Sequence, residues 1–138
     1  MKPENLKHDS AIRHVTGQSV YVNDLEVSSL QLTGRVVYSQ IAHGLITSLD
    51  YTHALKVKGI AAILTAKDIP GANQMGPVVH DELCLAIDEV TFIGQAILLI
   101  AAENEEAAVE AERLINIEYQ ELDAVLSLRD AMENNLLI

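Results

Sequence analysis

The sequence predicts an α+β domain, and three observations carry that prediction. Most apolar residues fall in short runs with strand character. One later segment has the three-and-four spacing of an amphipathic helix, and two others read as single short helices. Strands and helices do not alternate as regular strand–helix–strand units. With 138 residues, 49% apolar and 21% charged, the chain can build one hydrophobic core and is too short for two ordinary domains. One Phe, four Tyr and no Trp leave Ile, Leu, Val and Ala to fill that core.

Residues 1–13 read as a flexible N-terminal arm, and residues 14–135 as the domain. In "HVTGQSVYVND", Val15, Tyr21 and Val22 give weak strand character, with bends at Gly17 and at Asn23 and Asp24. "LQLTGRVVYS" alternates, which puts Leu30, Leu32, Val36 and Tyr38 on one side and suggests a bulge or a close backbone approach at Gly34. "GLITSLDY" predicts a strand ending at Asp50, and "THALKVKG" a single helical turn closed by Gly59. "IAAILTA" is apolar at every position but Thr65, as a strand covered on both faces would be.

A long loop follows, "DIPGANQMGPVVHDE", and then "ELCLAID" as an apolar strand. "EVTFIGQAILLIAAE" reads as two strand-like halves around Gly94. "NEEAAVEAERLIN" is the main helix. Asn104 is its N-cap, and Glu105 and Glu106 sit where the helix dipole favours negative charge. Ala107, Ala108, Ala111, Leu114 and Ile115 recur at core spacing, while Glu106 and Glu110 repel, so packing rather than ion pairing should hold that face of the helix. "INIEYQEL" is a further strand. "SLRDAMENN" is a short helix with Ser127 as N-cap and Asp130 as its capping-box acid. Residues 136–138 follow a helix stop and read as the start of a connection to further chain.

Nine basic against 20 acidic residues give a net charge of −11, which disfavours DNA, RNA and anionic membranes as partners. The acidic surface is either a solvated exterior or a docking face for a basic partner. The lone Cys84 cannot form an internal disulfide, which fits a reducing compartment. "MKPENLKHDS" has no apolar signal core, and the run from Ala96 to Ala102 is far shorter than the roughly 20 residues a membrane helix needs. A soluble, cytoplasmic protein is expected.

Candidate chemistry is sparse. His8, His14, His43, His53 and His80 show no HxH or HxxxH spacing, and there is no CxxC. His80, Asp81 and Glu82 are consecutive, so in extended chain they point to alternating sides and do not converge on one ion. A turn in which Asp81 accepts backbone amides is the simpler reading. Cys84, between two leucines, reads as a small core residue. No GxSxG surrounds Ser19, Ser39 or Ser48. "GANQMG" resembles a phosphate cradle only superficially, since no Lys and no helix follow it. Gln95 reads as a buried side chain that satisfies nearby backbone. The residues by themselves nominate no catalytic, cofactor-binding or metal-binding group.

Taken in order, "HDSAIRHVTGQSVYVND", "AHGLITSLD", "VKGIAAILTAKDIPGANQMGPVVHDE", "VTFIGQAILLIAAENEEAAVEAERLINIEYQELDAVLSL" and "DAMENN" resemble one family. It is the α/β-hammerhead domain of xanthine dehydrogenases and aldehyde oxidases, and more narrowly the separate molybdenum-binding subunit of bacterial xanthine dehydrogenase. The resemblance implies a mixed sheet with one main helix and short helices. It also implies a parent enzyme that hydroxylates a purine or an aldehyde with oxygen derived from water. Molybdopterin with molybdenum, iron–sulfur clusters and FAD would be held by other domains or subunits, with none in this chain. Downstream molybdenum-binding domains and an FAD/iron–sulfur subunit or domains would be its partners, with homo-oligomers a further expectation. The chain alone would be inactive. In the family, the loop matching "MGPVVHDE" lies near the mouth of a substrate channel, which makes Pro77, Val78 and Val79 channel-lining candidates. Two other readings stand beside this one. One is a stand-alone binding or scaffold module on the same fold. The other is a small hydrolase using His80 with Asp81 or Glu82.

Overall fold

The computed structural model describes residues 8–25, 28, 30–76 and 78–134. Its regular elements are α1 (Ala11–Val15), β1 (Thr33–Tyr38), β2 (Gly44–Asp50), β3 (Ile60–Thr65), β4 (Glu89–Val90), β5 (Ala96–Ala102), α2 (Glu105–Arg113), β6 (Asn116–Glu121) and α3 (Leu128–Glu133). Short 3-10 turns punctuate them. The chain divides into two units, residues 1–31 and 32–138. Residues 1–7 of the expected arm and 136–138 of the expected connection lie outside the described residues.

The first unit is helical where strand character was expected. Val15 ends α1, and Val22 opens a 3-10 turn. Local polar groups explain the change. Gly17, at φ +72°, lets the Gln18 and Gly17 amides fold back onto the Arg13 and His14 carbonyls and close the helix. The Asp24 carboxylate accepts the Tyr21 amide at 2.9 Å. These local bonds take up backbone groups that a strand would otherwise have to pair.

In the second unit the expected mixed sheet is instead two sheets of three strands, ordered β1-β5-β3 and β4-β2-β6. Every strand pairing is antiparallel. A parallel pair needs a long crossover, usually a helix. The chain has one such helix, α2, and it joins β5 to β6, which belong to different sheets. Gly94, at φ +89°, makes the sharp turn between β4 and β5 that carries the chain from one sheet to the other.

The register of the first sheet sorts its side chains. Val37 and Thr65 flank Leu98, and Arg35 and Ile63 flank Ile100, on the face turned to α2. Val36 and Leu64 flank Leu99 on the opposite face. Leu98, Ile100 and Ala102 are fully buried and pack with Val37, Ile63, Ala54 and the three α2 alanines, Ala107, Ala108 and Ala111. Alanines on the buried stripe let α2 lie close on the sheet. A second cluster, Ala86, Val90 and Ile97, joins this sheet to the other. Each fully buried Leu or Ile contributes roughly 1.5–3 kcal/mol.

Several local expectations hold. The Asn104 side chain accepts the Ala107 amide at 2.9 Å, Ser127 caps α3 by accepting the Asp130 amide at 3.1 Å, and Gly59 closes its turn at φ +92°. Others change. The irregularity in β1 falls between Val37 and Tyr38, not at Gly34. Leu114 sits on the C-cap of α2 and is exposed. β3 is covered on one face only, because α2 packs on the face of Ile63 and Thr65 while Leu64 looks outward. Beyond the Glu106 and Glu110 face, the helix has ion-pair support from a strand. Arg35 reaches Glu112 at 2.6 Å and Glu105 at 3.0 Å. In the second sheet, Gly44 is forced by crowding. A Cβ there would lie 2.6 Å from Ile41 Cδ1 and 2.8 Å from the Gln120 carbonyl oxygen.

Candidate functional site

The long loop is held by its own side chains. Asn73 donates from Nδ2 to the Leu85 carbonyl at 2.7 Å and accepts the Leu85 amide on Oδ1 at 2.9 Å. One side chain thus replaces a strand partner, which is why "ELCLAID" does not become a regular strand. The Met75 amide donates to the Glu82 carbonyl at 2.6 Å and closes the loop tip. Gly76, at φ +124°, is required there, since a Cβ would collide with the Val79 carbonyl oxygen. The resemblance to a phosphate cradle ends here, because the carboxamide of Asn73 is spent on Leu85. Among the described residues no side-chain bond from Asp81 closes the turn. Asn73 lies in a Gly- and Pro-rich loop, where Asn commonly bonds backbone, and the sequence pattern did not single it out.

Replacing Asn73 with alanine would leave a partly buried amide and carbonyl unpaired. The expected cost is about 1–3 kcal/mol, with faster hydrogen exchange at the Leu85 and Met75 amides. Unchanged exchange at both would contradict this account of the loop.

Val78 and Val79 lie at the loop tip and are exposed, at 87% and 62%. Pro77 lies outside the described residues. His80, Asp81 and Glu82 are also exposed, and among the described residues no three His, Cys, Asp or Glu side chains are placed to hold a metal ion. Two shallow grooves flank this loop. One, of about 350 Å³, lies on the outer face of the first sheet between Val36, Leu64, Leu99, Ile69, Pro70 and Leu85. Asp68 borders it, its carboxylate held below the usual range by the amide and hydroxyl of Thr65. The other, of about 360 Å³, lies between Met75, Glu82, Leu83, Glu89, Phe92 and Gln95. Cys84 lines both and is half-buried, not a core residue. Gln95 is buried, and its Oε1 accepts the Thr91 amide at 2.7 Å, so it serves the backbone as expected.

Among the described residues one histidine–carboxylate pair stands at hydrogen-bond distance, His43 with Glu89 at 2.8 Å. The other ring nitrogen lies 2.8 Å from the Asp123 carbonyl oxygen rather than from a nucleophile. The pair therefore has the geometry of a structural tie, not of nucleophilic catalysis.

The family model described as the aldehyde oxidase and xanthine dehydrogenase a/b hammerhead domain matches residues 16–123. The chain belongs to that family. Among relatives of this hammerhead domain, a xanthine dehydrogenase from Dictyostelium discoideum is 44% identical over 127 residues, which are 92% of this chain and 9% of that protein. A probable subunit of xanthine dehydrogenase from Bacillus subtilis (strain 168) is 38% identical over 134 residues, 97% of this chain and 18% of that protein. The crystal structure of the aldehyde oxidoreductase from Desulfovibrio desulfuricans ATCC 27774 superposes with a TM-score of 0.82 at 23% identity, covering 94% of this chain and 16% of that one. The last likeness is one of fold. The hammerhead domain thus spans between about a tenth and a fifth of the length of the curated relatives compared.

Proposed function

We propose that this hammerhead domain serves a xanthine dehydrogenase-like molybdenum hydroxylase acting on a purine or an aldehyde, as a structural part with no catalytic group of its own. The observation that carries the reading is the outer face of the first sheet. Val36, Leu64 and Leu99, with Ile69, Pro70 and Leu85 from the long loop, line an apolar groove there that stays open among the described residues of 32–138, in a domain whose relatives are many times longer. Molybdenum-binding domains are the occupant proposed for that face, with the FAD and iron–sulfur parts and neighbouring subunits further away. Val78 and Val79, exposed at a tip held by Asn73 and Gly76, are proposed to wall the approach to the active site, with Pro77 between them and the glycine.

This chain's residues do not fit the cofactors themselves. An iron–sulfur cluster takes several cysteine thiolates, and the chain has one cysteine. A phosphate-bearing cofactor favours a helix N-terminus, and that of α2 carries Glu105 and Glu106. Among the described residues no helix is long and apolar enough to cross a membrane, and a cytoplasmic enzyme is proposed.

The test is to measure molybdenum content, and turnover of hypoxanthine and of an aromatic aldehyde with an artificial electron acceptor, on the purified chain. Neither metal nor turnover is expected. Stoichiometric molybdenum together with turnover would overturn the reading.

A further inference from the structure

We propose that His43 is a proton-operated clasp: as the imidazolium it ties β4 and the chain leaving β6 to the start of β2, and on losing its proton it lets β4 go, and with β4 one wall of the second groove.

The geometry requires the extra proton. Nδ1 lies 2.8 Å from the Asp123 carbonyl oxygen and Nε2 lies 2.8 Å from Glu89 Oε1. A carbonyl and an ionised carboxylate only accept, so both ring nitrogens must donate, and a neutral imidazole has a single N–H. Whichever atom of the His43–Glu89 pair carries it, the contact holds one proton more than a neutral ring beside a carboxylate.

The position gives that proton leverage. His43 directly precedes the central strand of its sheet, and its own carbonyl accepts the Leu122 amide at 3.1 Å. β4 is two residues long, held to β2 by the Gly44–Val90 and Leu45–Glu89 pairs and by the Ile46 amide on the Asp88 carbonyl. With so few bonds, the Glu89 contact is a large share of what fixes the strand. From β4 the chain runs directly into Thr91 and Phe92, which line the second groove with Glu89 and Gln95.

The surroundings favour the cation. The titratable groups around His43 are Glu89 on β4, Asp88 just before it, Glu121 at the end of β6 and Asp123 just after it. No Lys or Arg occurs in residues 40–48, 86–92 or 118–126. The bond to the Asp123 carbonyl, and then the Glu89 contact, raise His43 above the ordinary histidine value of 6.5. For a group raised in the folded state, the stabilisation is complete below the ordinary value and is lost as pH climbs through the folded one. Past that point the ring keeps Nδ1–H on Asp123 and turns a lone pair toward the Glu89 carboxylate, which then repels it.

The test is an NMR titration of the 138-residue chain from about pH 5 to about pH 9, the range in which a histidine changes charge. Long-range proton–nitrogen correlations follow both His43 nitrogens, and hydrogen exchange follows Val90 and Thr91 with Ile100 as the reference for base catalysis. The expected result is a His43 midpoint above 6.5, with only Nδ1 protonated beyond it. Protection at Val90 and Thr91 should then fall about tenfold more than at Ile100. Glu89→Gln, which keeps the shape and removes the charge, should lower the midpoint. A midpoint at or below 6.5, equal loss of protection at all three amides, or a midpoint indifferent to Glu89→Gln would each overturn the proposal.

Discussion

Replacing Ile100 with alanine should lower the stability of the domain by about 2–5 kcal/mol, toward the upper end of that range. Ile100 is fully buried at the middle of β5, between Arg35 on β1 and Ile63 on β3. The cost of such a change depends on how far the surroundings can collapse into the space left behind. Here they can collapse little. The helix above is seated through Ala107, Ala108 and Ala111, which have no longer side chain to swing into the gap. Both neighbouring strands are fixed by their ladders, and Arg35 ties β1 to both ends of α2 through Glu105 and Glu112. Urea unfolding of the two proteins checks this directly. A loss below about 1 kcal/mol would mean that the core is looser than close packing allows.

The parts of the fold that are legible in the sequence are those set by neighbours along the chain. Asn104 with the alanine stripe behind it, Ser127 as the cap of α3, and Gly59 after a single turn each carry a local signature and fold as that signature says, whereas the Asp130 carboxylate takes the Ser127 hydroxyl at 2.7 Å in place of the capping-box bond to the Ser127 amide. What is not legible depends on pairings between distant residues. "AILLIAA" is apolar at every position, so its periodicity cannot say which face would be covered, and only the α2 alanines settle that. The division into two sheets depends on β2 pairing with β6, far away in the chain, rather than with a strand of the first sheet, and no local pattern marks that choice.

The candidate site divides in the same way. The stiffness of the "DIPGANQMGPVVHDE" loop is visible in its composition, and among the described residues its acid-and-histidine end forms no group placed to hold a metal ion. Its real anchor, Asn73, works across 12 residues to Leu85. His43 meets Glu89 across 46 residues and Asp123 across 80, and nothing near His43 in the sequence marks it out from the other four histidines.

The second large effect concerns the outer face of the first sheet. Val36, Leu64 and Leu99 stand side by side across three strands, and their groove continues to Ile69, Pro70 and Leu85. Leu64 alone leaves 38% of its surface in water. In a domain standing alone, such a face is expected to seek another apolar surface, and the nearest available one is a second copy. Covering the remaining area of each leucine is worth about 0.5–1 kcal/mol, and two leucines on each of two copies contribute, so the double change Leu64→Glu with Leu99→Glu should weaken self-association roughly a hundredfold. Both positions point away from the core, so the fold should survive, and unfolding of the double variant serves as the control. The decisive measurement is sedimentation velocity of the unaltered chain and of this variant over rising concentration. The account predicts that the unaltered chain associates and that the variant stays monomeric. An unaltered chain that remains a clean monomer at the highest concentrations would contradict it, and would identify the outer face as one meant for water rather than for a larger enzyme.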